Sequence, residues 1–179
     1  LDAMVPAATL QAKTAAVGKI RFSAIEQVHG AAGSTKIGLE KKLAKLQEEK
    51  RRDPGAAAEA WARIAQLVPE DDRAVSTASK LFEKAGQIDQ AARVIADHAS
   101  GVEDITARGQ LLERLGELRE QLGDYGNAGV AFADAADAQK SAKLWENAER
   151  AYGAAEQWNN AAAAACQRAL LAGDTKQEA

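Results

Sequence analysis

The stretch Leu112–Ala135, LERLGELREQLGDYGNAGVAFADA, decides the fold, because its spacing of apolar, glycine and aromatic residues returns along the chain. Ala128 within it has counterparts at Ala57, Ala91 and Ala161, at separations of 34, 37 and 33 residues. Four residues after these alanines stand Trp61, Ile95, Phe132 and Ala165, and three before the last two stand Tyr125 and Trp158. Phe82 and Tyr152 lie nine residues before Ala91 and Ala161; Trp145 lies sixteen before Ala161, and Leu112 holds its place one unit earlier. Seven of the eight aromatic residues obey this register, Phe22 being outside it. Val75, Ala78, Phe82 and Ala85, like Trp145, Ala148, Tyr152 and Ala155, recur at steps of three and four, so each set forms one apolar face of an α-helix. Gly86 and Gly123 follow such helices where a left-handed cap is needed, and the short turn sends the next helix back antiparallel. One such hairpin cannot bury both its faces, so neighbouring hairpins must stack.

The pattern resembles the tetratricopeptide repeat: Trp, Leu-Gly and Tyr in a first helix, then Gly, Tyr and Ala, then Phe, Ala and Pro. The third unit matches through Leu112, Leu115-Gly116, Gly123-Asp124-Tyr125, Ala128, Phe132 and Ala135, with Arg119 discordant. The second matches at Phe82, Gly86, Ile88, Ala91 and Ile95. The first ends on Trp61 and Pro69, and the fourth keeps Trp145, Ala148, Tyr152, Trp158 and Ala161. Glu156 and Arg52 stand at turn positions where the family prefers glycine, and Lys41 and Glu48 where the first unit should be apolar. Three units are good and the first degenerate, and the resemblance covers residues 38 to 172. It implies an all-α helical-hairpin solenoid, a right-handed superhelix of four hairpins plus an N-terminal helix. The signature residues, including Trp61, Phe82, Phe132, Trp145, Tyr152 and Trp158, are expected in its core.

Helices are expected near 37–52, 54–68, 71–85, 88–100, 104–122, 125–138, 141–155 and 158–171, pairing as hairpins 37–68, 71–100, 104–138 and 141–171. Three extra residues fall around Ser100 to Ile105. Residues 1–36 lie outside the register. From Ala7 to His29 they can form a helix with Leu10, Val17, Ile20, Ala24 and Val28 on one side, broken by Gly30 to Thr35. That helix reads best as a cap over the first hairpin, with a worn repeat or a linker helix as alternatives. Residues 173–179 read as a polar tail, and a fragment of a longer protein is one reading of the whole.

Composition sets further bounds. The 179 residues are 46% hydrophobic but only 4% aromatic, so alanine supplies much of the apolar content and thin helical cores follow. No run of eighteen apolar residues occurs and Leu1 to Val28 lacks the order of a signal peptide, so a cytoplasmic protein is the default expectation. The single cysteine, Cys166, allows no intramolecular disulfide and reads as a small packing residue. Residues 1–55 carry net charge +4 and the rest −7. The basic run Lys41, Lys42, Lys45, Lys50, Arg51 and Arg52 has no interleaved aromatics, which argues against nucleic acid and for a solvated face partnered by Glu48 and Glu49.

Catalytic and cofactor chemistry finds no footing. Ser34-Thr35-Lys36 has hydroxyls before its lysine and no preceding strand, the reverse of a phosphate-binding loop; Val17-Gly18-Lys19-Ile20 lacks a following hydroxyl. His29, His98 and Cys166 stand singly, without metal-ligand spacing. His98 reads as a satisfied interior or edge histidine. The carboxylates lie on helices with apolar opposite faces, giving paired acid and base groups no pocket. No enzyme, catalytic residue, cofactor or metal is expected.

By the resemblance, ligand contacts belong on the concave surface, at non-signature positions of each first helix. These are Arg73, Ser76, Thr77, Lys80, Glu83 and Lys84 in the second unit, then Gln110, Glu113, Arg114, Glu117 and Gln121 in the third. The fourth offers Lys143, Glu146, Asn147 and Arg150. Arg73, Lys80 and Lys84 outweigh Glu83, favouring a partner segment with an acidic stretch, while Glu113 and Glu117 make the third section more acidic. The lysine, asparagine and arginine set with which some family members grip heat-shock chaperone tails is incomplete. Lys42 and Arg114 fit, but Leu46, Thr77 and Gln110 replace the others. The expected function is a non-enzymatic protein- or peptide-binding scaffold. The alternatives are an assembly element self-associating through uncapped repeat ends at Leu170-Leu171, or a regulatory repeat region of a longer protein, without membrane insertion.

Overall fold

The computed structural model describes residues 33–69 and 71–177; side-chain surroundings are described for 35–49, 52–69 and 71–173. The expected helix at 7–29 lies outside them. Eight α-helices run among the described residues: α1 (Gly33–Leu46), α2 (Pro54–Leu67), α3 (Asp72–Lys84), α4 (Ile88–Ala99), α5 (Ile105–Gln121), α6 (Tyr125–Gln139), α7 (Ala142–Ala154) and α8 (Trp158–Gln177). They make an all-α solenoid of stacked helical hairpins, each helix packing chiefly on its neighbours in sequence. α1 begins before the expected position 37 and continues into a π-helical turn, Gln47–Arg51, and α8 runs on to Gln177. The extra residues of the third unit lie in the loop 100–104 ahead of the 17-residue α5.

Local chemistry fixes the helix ends. Asp53, Asp71, Asp104 and Ser141 cap α2, α3, α5 and α7, each side-chain oxygen accepting from a first-turn amide; Pro54 opens α2, where no amide proton is needed. The three turns inside hairpins two to four share one bonding pattern. The amides of Gln87, Asp124 and Gln157 donate to the carbonyls of Phe82, Arg119 and Tyr152 at 2.8, 2.9 and 2.9 Å, and the preceding amide donates three residues back. This is the double bond of a Schellman cap, and it needs a left-handed residue. Gly86 (φ 74°) and Gly123 (φ 73°) supply it without cost, Glu156 (φ 59°) with strain; Arg52 (φ 50°) adopts it after the first helix. The two non-glycine turn positions marked in the sequence are therefore left-handed, and Lys140 (φ 50°) is a third residue of that kind.

The core runs continuously through the stack. Ala57, Val75, Phe82, Ala91, Ile95, Leu115 and Leu118 join the first three hairpins; Ala128, Phe132, Leu144, Ala148 and Tyr152 join the last two, with Leu112 touching both sets. Burial holds the Tyr152 phenol above its usual range. Discordant Arg119 bonds Asp124 at 2.6 Å across the turn, and Asn127 and Arg119 hold that carboxyl below its usual range. His98 is an interior histidine, its Nε2 2.8 Å from Asp72 Oδ1, which ties the start of α3 to the end of α4.

Two expectations are corrected. Trp158, assigned to the core, is 68% exposed, because among the described residues no helix lies beyond α8. Cys166, read as a packing residue, is exposed on the same helix for the same reason. Glu40 on α1 is 1% exposed, and its Oε1 accepts from Arg63 Nε on α2 at 2.9 Å.

Candidate functional site

The positions expected to contact a ligand fall on three first helices. α3 carries Arg73, Ser76, Thr77, Lys80, Glu83 and Lys84, α5 carries Gln110, Glu113, Arg114, Glu117 and Gln121, and α7 carries Lys143, Glu146, Asn147 and Arg150. None is fully buried; Thr77, Glu83, Glu113, Arg114 and Asn147 are half-buried and the rest exposed. Exposure follows from the register, because these residues occupy the helix positions between the packing stripes.

Their partners differ sharply between units. Arg114 donates to Glu83 of the preceding unit at 2.6 Å and also bonds Glu117 on its own helix. The bond to Glu83 raises the arginine's pKa further above its already high value. Arg150 grips Glu120 of the preceding unit with two nitrogens, at 2.6 and 3.1 Å, the planar fork matching both carboxylate oxygens. Glu113 accepts from Gln139 Nε2 at 3.1 Å, and the Thr77 hydroxyl is turned back onto the Arg73 carbonyl at 2.7 Å. Arg114 and Arg150 thus fasten successive first helices together. Glu120, absent from the expected set, is a partner in this fastening; its only sequence signal is an acid 30 residues before an arginine on the next first helix.

Arg73, Lys80, Lys84 and Lys143 make no ion pair among the described residues. The first three share α3, while Glu83 beside them is turned onto Arg114. The α3 section is accordingly a cationic face with free charge, and the α5 section is largely self-neutralised. At the far end, Glu146, Asn147 and Arg150 line a cleft of about 580 Å³ between α7 and α8, together with Trp158. A smaller cleft of about 210 Å³ is lined by Ala62, Ala65, Val75, Val94 and His98, and is mostly apolar. Among the described residues no three His, Cys, Asp or Glu side chains gather as metal ligands, and no helix is long and apolar enough to cross a membrane.

An all-α repeat of stacked helical hairpins is the class this architecture defines, consistent with a fold of the tetratricopeptide type. Two solved structures of MamA are similar to it. One matches at 12% identity with a TM-score of 0.53, covering 79% of this chain and 75% of that chain. Another, also at 12% identity, has a TM-score of 0.51 and covers 98% and 99%. At this identity the likeness is one of fold. A scan against models of known families finds no match, and neither does a search of characterised proteins.

Proposed function

We propose that the chain is a non-enzymatic scaffold that binds a protein or peptide segment along the concave face of its repeats, with an acidic stretch of the partner seated on α3. The observation carrying this reading is the contrast between the arginines. Arg114 and Arg150 have their charge matched by Glu83 and Glu120, whereas Arg73, Lys80 and Lys84 stand exposed on one helix without a carboxylate partner among the described residues. A rigid surface with unmatched positive charge attracts acidic segments and speeds their encounter, more at low salt than at high. Lys143 extends the same chemistry to the fourth unit, with Gln110 and Asn147 as neutral hydrogen-bonding positions between.

The test compares the chain with its Arg73→Glu, Lys80→Glu, Lys84→Glu variant against arrayed acidic and neutral peptides, with affinity followed across a salt series. Each lost contact with a charged group costs about 1 kcal/mol or more, so affinity for acidic peptides should fall at least about tenfold and its salt dependence flatten. Equal binding by both proteins, or no preference for acidic peptides, overturns the reading. A second reading, an assembly element, is favoured by the exposed Trp158 and Leu170 on α8.

A further inference from the structure

The mostly apolar cleft between the first two hairpins has an origin in the repeat register. Ala62 and Ala65 of α2 and Val94 of α4 line it, with Val75 of α3 the one buried residue among its walls. Val75 stands sixteen residues before Ala91, the place that Leu112 and Trp145 hold before Ala128 and Ala161. Leu112 packs on both core sets and Trp145 on the second. One unit on from the cleft, Ala99, Ala131 and Ala135 take the positions of Ala65, Val94 and His98, and all three are buried. The second unit thus has a shorter side chain where its successors have larger ones, and about 210 Å³ of space is left there.

We propose that this cleft is a docking site, separate from the cations of α3, for a protein segment that inserts a large apolar side chain flanked by lysine or arginine. Charge at the mouth selects the flanks. No Lys or Arg lines the cleft, whereas Asp97 does, exposed and without an ion-pair partner among the described residues. Asp72 is tied to the lining through His98, its Oδ1 2.8 Å from the ring Nε2, yet its side chain is 79% exposed. Two carboxylates so placed favour a cation beside the inserted group and repel an acidic segment. The inserted side chain supplies the affinity, through burial against Val75, Val94 and the two alanines, and the carboxylates supply the choice of partner.

The experiment titrates the isotope-labelled full chain with acetyl-Lys-Lys-Trp-Lys-Lys-amide and follows backbone amide shifts by NMR. Two control peptides replace the lysines by glutamate, or the tryptophan by glycine. The first peptide should shift the amides of Ala65, Val94 and His98 saturably. Both controls should bind at least about tenfold more weakly, as loss of an aromatic anchor or reversal of the flanking charge does. Val75→Trp, the side chain this register holds at Trp145, fills the cleft and should weaken the first peptide about tenfold or more. Val75→Leu, matched by Leu112, should weaken it less, and keeps the test decisive if the larger variant misfolds. Asp97→Lys, at an exposed position, should remove the preference for lysine over glutamate flanks. Shifts that fall only on α3 or nowhere, equal binding of the three peptides, or unchanged binding by folded Val75→Leu overturn the proposal.

Discussion

Gly129 shows how a single absent Cβ sets the distance between units. A Cβ there would come within 2.5 Å of the Tyr152 ring, and neither the buried ring nor the helix beneath it has room to yield. Gly116 does the same inside the third hairpin, where a Cβ would meet the Phe132 ring at 2.7 Å. Gly38, by contrast, sits on α1 with nothing within 4 Å of the same point. Gly129→Val is therefore expected to lose about 1–3 kcal/mol through overpacking, and Gly38→Ala to gain about 0.5–1 kcal/mol through backbone entropy. Paired urea denaturation curves check both. Equal midpoints for the two variants would mean that the α6–α7 contact adapts freely.

At the level of the element, the hairpin turn is the repeated device. One bonding pattern closes three hairpins, yet the residue in the left-handed position is Gly86, Gly123 and then Glu156. The backbone obeys the pattern even where the side chain opposes it, because two carbonyls at the helix end would otherwise lack partners and the flanking cores hold both helices in place. A non-glycine residue in this conformation costs about 1–2 kcal/mol. Glu156→Gly should accordingly raise stability by about 1 kcal/mol, and Gly123→Ala should lower it by a similar amount. Thermal melts of the two variants read this out; unchanged melting of Glu156→Gly would show that the strain is relieved elsewhere in α7 or α8.

Across the whole molecule, stability is a chain of contacts between neighbours, since the helices pack in sequence order. The core supplies most of it, and the ion pairs Glu83–Arg114 and Glu120–Arg150 join the exposed edges of successive first helices. Both pairs are part-exposed, so solvent screens them, and their value lies more in register than in energy. A double-mutant cycle on Glu83→Gln and Arg114→Gln should give a coupling of about 0.5–1 kcal/mol that shrinks with salt. A coupling of zero would leave Arg114 as available to a ligand as Lys80. The distinction matters for the proposed function, because the same first helices carry both the pairs that join the units and the unpaired cations of α3.

Much of this was legible in the chain alone. The alanine register located four hairpins, and the ends of α2 to α7 fall within one or two residues of expectation, because helical period, aspartate caps and left-handed turns are local properties. Even Glu156 and Arg52 were identifiable as turn residues, since the register marks the position whatever side chain fills it. The first helices were also readable, each set of polar positions lying on its expected helix. What tertiary structure decided was the company each side chain keeps. Arg114 and Arg150 looked equivalent to Arg73 until Glu83 and Glu120, 31 and 30 residues away, were found to match their charge. Trp158 and Tyr152 both carry the signature of a core aromatic, yet one is exposed and the other buried. Pattern specifies which face a residue occupies, whereas burial and charge balance depend on what another part of the chain, or another molecule, brings against that face.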